Sequence, residues 1–192
     1  MTSDAPLPPA PGAELHPALD LANTVHAIPG GEVDLIGSRE LATAWLAQHR
    51  LLPAGTALGD PCTARLRTLR HALRELLTSA TAATRPPSNA LATVNDALAG
   101  APSAEPLAWS PATGLHRDPA HPLDRLTEHV LAALAADAAN LLTGEDATKI
   151  AQCGANSCTR FLLRTHAARQ WCSVRCGDRV RAARAYARRG GR

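Results

Sequence analysis

Aromatic side chains are scarce in this 192-residue chain: one Phe, one Tyr and three Trp make up 3% of it. A sheet sandwich draws heavily on aromatic and β-branched residues. A core that must come mainly from Leu, Ala and Val favours packed helices instead. Long apolar runs are missing too. The start, MTSDAPLPPAPGA, has no basic segment followed by an apolar one, so it does not read as a secretory signal. No stretch approaches the roughly 20 residues of a membrane span, and the expectation is a soluble, cytoplasmic protein without membrane contact. Catalytic patterns are likewise lacking. There is no Ser/His/acid order and no Gly-rich phosphate loop, and the eight histidines are scattered, so no enzyme is expected.

What is present allows one real core, from a hydrophobic content of 45%, with a small satellite beside it. Charge is unevenly spread. Residues 153–192 hold ten arginines, no lysine and one acid, Asp178, for +9 in a chain of net charge +3, which leaves −6 for the remainder. An acidic body joined to a basic tail places any polyanion on the tail.

Residues 1–13, rich in Pro and Ala without periodicity, are expected to be a disordered lead-in. From His16, HPALDLANTVHAI reads as a helix with Leu15, Leu19 and Ala22 on one face and Asp20 and Asn23 together on a neighbouring one. PGGEVDLIG follows as a turn and a short extended piece. Ser38 caps a helix whose buried stripe is Leu41, Trp45 and Leu46. The best amphipathic pattern lies between Pro61 and about Ala82, where Leu66, Leu69, Leu73, Leu76 and Leu77 recur at helical spacing and Arg65, Arg67, Arg70 and Arg74 fall mostly off that stripe. Ser88 opens a shorter helix. EPLAWSPATGLHRD reads as a hairpin, and a long Leu/Ala-rich helix runs from Pro122 to about Leu142. Cys62, alone upstream, reads as a small buried hydrophobe.

Four of the five cysteines form a Cys-x4-Cys and a Cys-x3-Cys pair thirteen residues apart: Cys153, Cys158, Cys172 and Cys176. Zinc takes four thiolates at about 2.3 Å from two tight turns, and CGANSC, with Gly154 and Asn156, suits such a turn. WCSVRCGDR leads into a helix, whose free N–H groups and dipole favour thiolate. Four cysteines fill every position, which points to one structural Zn2+ and not to an activated water. The other readings are reduced core cysteines, a redox pair, or His166 in place of one cysteine. In the helix after the second pair, Val180, Ala183 and Ala187 make a narrow stripe expected to lie on the zinc knuckle. Arg181, Arg184 and Arg188 form one row and Arg175 and Arg179 another, an arrangement suited to phosphate and to guanine edges. A solvated charged face, docking on the acidic body or a protein partner are the alternatives. Tyr186 either covers the helix or stacks on a base.

WCSVRCGDRVRAARAYARR resembles the signature of the CGNR-type zinc fingers, and ALDLANTV resembles the start of the ABATE domain that precedes that finger. The two together cover about residues 14–189. Asp178 stands where the signature has Asn, the second cysteine pair is one residue closer, and leucine follows Phe161 where the family has an acid. The resemblance implies a stress-related transcriptional regulator with an effector-responsive N-terminal domain.

The expected architecture is therefore mainly α: a lead-in over 1–13, an α-rich ABATE-like domain with a small β-hairpin over 14–146, and a treble-clef-like four-cysteine zinc finger ending in a basic helix over 147–192. The expected function is zinc-dependent DNA binding in transcriptional regulation; the alternative is a finger that binds RNA or an acidic protein. Double-stranded DNA is the expected partner, with a homodimer and a small-molecule effector as further expectations. The effector would lie near Asp20, Asn23, Arg70, Arg74 and the helix beginning at Pro122.

Overall fold

The computed structural model describes residues 7–28, 31–53, 55–101, 107–117 and 125–190. Among them the elements run α1 (Pro17–Asn23), β1 (Val25–Ile28), β2 (Gly31–Asp34), α2 (Arg39–Gln48), α3 (Asp60–Ala82), α4 (Ser88–Gly100), β3 (Leu107–Ser110), β4 (Gly114–Arg117), α5 (Leu126–Thr143), β5 (Ile150–Gln152), β6 (Phe161–Leu163) and α6 (Val174–Gly190). Among the described residues the strands pair as three antiparallel hairpins, β1–β2, β3–β4 and β5–β6. The fold is mainly helical, as the composition requires. Residues 118–124, which include the expected helix start at Pro122, lie outside the described set.

The body is α3, α4 and α5 packed together, with α1 and α2 laid against them. Leu66, Leu69, Leu73, Leu76 and Leu77 are all buried, as the α3 periodicity dictates. α3 ends where Ala83 takes a left-handed backbone, φ 51°, ahead of Pro86 and Pro87. In α2, Ser38 Oγ accepts from the Leu41 N–H at 3.2 Å. The buried face is nevertheless Ala42, Trp45 and Leu46, with Leu41 48% exposed. Only one position differs from the expected stripe: Trp45 and Leu46 are covered as expected, and Ala42 takes the place of Leu41. Leu15 is exposed because it precedes α1, in a turn, while Leu19 and Ala22 face inward.

α1 starts on Pro17 with no cap from its own sequence. The cap comes from α5, where Asp137 accepts from the Ala18 N–H at 2.8 Å and pairs with His16 Nδ1 at 2.9 Å. The hairpin read at EPLAWSPATGLHRD forms as β3–β4, with Trp109 opposite Leu115. The segment after α1 forms a second hairpin, Val25 opposite Asp34, where the sequence showed only a turn and a short extended piece.

Of the lead-in expected to be disordered over 1–13, residues 1–6 lie outside the described set, and residues 7–13 are docked on the finger. Ala10 is fully buried against the cysteines, the Leu163 N–H donates to Pro11 O at 2.8 Å, and Arg160 donates to Pro8 O at 2.8 Å. Gly12 permits this docking, since its φ is +91° and a Cβ there would sit 2.5 Å from the Leu163 side chain.

A cluster of Leu19, Ala22, Leu77, Leu141, Ile150 and Phe161 joins the body to the β5–β6 hairpin. At roughly 1.5–3 kcal/mol for each large apolar side chain buried, this seam holds the C-terminal unit firmly to α1 and α3.

Candidate metal centre and nucleic-acid interface

The first cysteine pair is set by the β5–β6 hairpin and its loop. The Cys153 N–H donates to Arg160 O at 2.9 Å and the Cys158 N–H to Ala155 O at 3.0 Å, which closes the loop. The left-handed residue in it is Ser157, φ 64°, and not Gly154 or Asn156. Gly154 serves otherwise: its N–H donates to Gln170 O at 2.8 Å, and a Cβ would meet that oxygen at 3.4 Å. The second pair sits at the start of α6, where Ser173 Oγ accepts from the Cys176 N–H at 3.2 Å.

All four sulfurs are buried and lie within 4.8 Å of one another. Cys158 and Cys172 Sγ are 3.7 Å apart and Cys172 and Cys176 Sγ 3.6 Å apart. A disulfide requires about 2.05 Å, so these are free thiols. A tetrahedron of thiolates at about 2.3 Å from one centre has edges of about 3.8 Å, close to these two separations, and the remaining sulfur pairs lie within 4.8 Å. The Cys153 thiol is drawn down to about 2, first by donation from Cys158 and then from Cys172, while Cys158, the donor to Cys153, is pushed up to about 11. Cys172 is pushed up for the same reason. Thiol protons are what a zinc ion displaces on binding.

The surroundings fit a zinc tetrathiolate. Zn2+ with four thiolates carries a net −2, and two guanidinium groups meet the sulfurs: Arg160 Nη1 at 3.8 Å from Cys172 and Arg179 Nη2 at 3.5 Å from Cys176. Arg160 is 3% exposed. The Cys172 N–H also points at Cys153 Sγ, 3.4 Å away. Donors of this kind orient thiolates and stabilise their charge. No local pattern marks Arg160 for this role, because its partner is defined only once the hairpin and α6 converge.

α6 departs from its expected docking. Val180 packs beside the cysteines, but Ala183 and Ala187 are exposed, so the outer turns do not lie on the knuckle. Of the five arginines singled out in the sequence, Arg179 serves the sulfurs. Arg181 donates to Asp178 at 2.5 Å and lies 5.9 Å from the centre of the Trp171 ring. Arg175, Arg184 and Arg188 are exposed. Gly177 lets the indole close in, since a Cβ there would meet Trp171 Cε3 at 3.3 Å and Arg181 Nη1 at 3.2 Å.

The four residues read as an effector site are engaged within the chain. Asp20 Oδ2 accepts from Trp45 Nε1 and pairs with His49 Nε2, both at 2.9 Å. Asn23, 2% exposed, donates to Phe161 O at 2.9 Å and accepts from the Phe161 N–H at 2.8 Å. Arg70 clamps Asp34 at 2.5 and 2.9 Å, and this hydrogen bonding holds the Asp34 carboxyl below the usual carboxylate range. Arg74 donates to Ala22 O at 2.6 Å and to Thr159 O at 3.1 Å. Asn23 and Arg74 thus tie α1 and α3 to the strand that follows the first cysteine pair.

Comparison with known families agrees with this architecture. The ABATE pattern, described as "Putative stress-induced transcription regulator", matches residues 15–145, and the CGNR zinc-finger pattern matches residues 149–189. Comparison with curated proteins finds no match. No described helix is long and apolar enough to cross a membrane. The chain belongs to the ABATE family, and it carries a CGNR zinc finger whose four cysteines are placed to hold one metal ion.

Proposed function

We propose that the protein is a zinc-dependent transcriptional regulator, stress-responsive and cytoplasmic, whose finger binds double-stranded DNA through α6. One observation carries this reading. Beyond Arg181 the helix stands exposed on both flanks, and it presents Arg184, Arg188 and Arg189 with no acid after Asp178. A helix of 17 residues is roughly 25 Å long, and its outer half is free to enter a major groove. The metal is structural, since four thiolates leave no open position for substrate or water, and no catalysis is assigned to it. One short finger makes few base contacts, so two copies on two half-sites are the expected binding unit. The N-terminal domain acts on the finger through Asn23 and Arg74, which transmit the state of α1 and α3 to the segment at 159–161. An effector would act through that connection.

The test is titration of duplex DNA at two salt concentrations with the zinc-loaded chain, the zinc-stripped chain and the Arg184→Ala/Arg188→Ala variant. Each lost phosphate contact lowers the salt slope by about 1. The double variant should bind several-fold more weakly with a slope lower by about 2, and the stripped protein should not bind. Unchanged binding by the variant would remove α6 from the interface. Preference for structured RNA over duplex DNA of equal length would move the function to RNA.

A further inference from the structure

Beside the first two turns of α6 lies a groove of about 230 Å³ that the arginine rows do not describe. It is lined by His166, Arg169, Trp171, Val174, Gly177 and Arg181. Its walls are mainly carbon, from the indole and from Val174, which is 77% exposed. Two guanidinium groups flank it. The groove is firmly built: Gly154 pins the 166–171 segment through Gln170, the Arg169 N–H donates to His166 O at 3.0 Å, and Gly177 seats the indole on the helix. The Arg169 Nε–H is buried and meets no acceptor among the described residues.

We infer that this groove seats one phosphodiester with its deoxyribose from the DNA strand that α6 follows. The phosphate lies between Arg169 and Arg181, and the sugar lies against Trp171 and Val174. This rests on the DNA-binding reading and deepens it. A carbon-walled groove with cationic flanks matches a sugar–phosphate unit better than an inorganic anion, which has no apolar surface to bury. Phosphate contacts of this sort set the register of a recognition helix without reading sequence. Asp178 holds Arg181 at 2.5 Å, and the arriving phosphate takes over that guanidinium. The acid therefore weakens binding, and the asparagine of the family signature would not.

The experiment uses the full zinc-loaded chain and one duplex DNA, with zinc content and circular dichroism checked for each variant. Arg169→Gln should bind about 5–10-fold more weakly with a salt slope lower by about 1, whereas Arg164→Gln, on the same finger but outside the groove, should stay within about 2-fold of wild type. Asp178→Asn should bind a few-fold more tightly. DNA should also shield Trp171 from acrylamide, read as the difference between wild type and Trp171→Phe. Equal losses in Arg169→Gln and Arg164→Gln, or a Trp171 still open to acrylamide in the complex, would overturn the groove while leaving a DNA-binding α6 intact. If Arg169→Gln does not fold, unchanged affinity in Asp178→Asn does the same. A wild-type protein with no affinity for duplex DNA overturns both readings.

Discussion

A buried guanidinium needs an anion, and Arg160 has the Cys172 sulfur placed to supply it. It is 3% exposed, reaches Cys172 Sγ with one nitrogen and Pro8 O with another, and leaves its Nε without a partner among the described residues. In the zinc-loaded finger it lies against a net −2 cluster, so burying it costs far less than burying a lone cation. The dependence runs both ways, because removing the cation leaves the tetrathiolate charge less well compensated. Arg160→Met, which keeps the stem and drops the charge, should lower zinc affinity by about 10–100-fold, the usual cost of losing a partner of a metal ligand. Competition against a chelator of known affinity measures this. An unchanged affinity would mean that Arg179 and the backbone N–H groups suffice.

The seam between α1 and β6 belongs to the scale of elements. Asn23 uses both ends of its amide on Phe161, whose N–H and C=O are thereby satisfied in a buried place. Asn23→Ala would strand both groups at about 1–3 kcal/mol each. A loss of roughly 2–6 kcal/mol in a urea titration is expected, whereas Asp20→Asn, whose contacts are to Trp45 and His49, should leave the finger's zinc affinity unchanged. A variant as stable as wild type would show that β6 does not rely on α1. The sequence placed Asp20 and Asn23 side by side but could not say what they met, since the partner of Asn23 lies 138 residues away. What was legible is what local spacing encodes. The α3 leucines, the β3–β4 turn and the cysteine pairs were all read from neighbours. The docking of residues 7–13, the cap that Asp137 gives α1 and the cation at the sulfurs arise only from tertiary contact. The exchange of Leu41 for Ala42 lies between these cases, because both positions border the Trp45–Leu46 face in a helical pattern and only packing decides which is covered.

At the scale of the whole molecule, the question is how far the loss of metal spreads. Structural zinc contributes about 10–16 kcal/mol in small fingers, comparable to the entire stability of an ordinary domain, about 5–15 kcal/mol. The finger cannot be expected to persist without it. Its loss removes the surface on which Ala10 is buried, the Leu163 N–H that holds Pro11, and the Phe161 backbone that occupies Asn23. The body has its own core, in which Leu66, Leu69, Leu73 and Leu134 pack without any residue of the finger. Chelation should therefore open the molecule in a defined order under hydrogen exchange. Protection should vanish over residues 8–13, 150–164 and the first turns of α6, and fall at the end of α1. It should persist along α3 and α5. Uniform loss would mean that body and finger fold as one cooperative unit, with the seam dominating both. Full protection at the end of α1 would mean that Asn23 finds other partners, and the path from the N-terminal domain to the finger would then have to run through Arg74 alone.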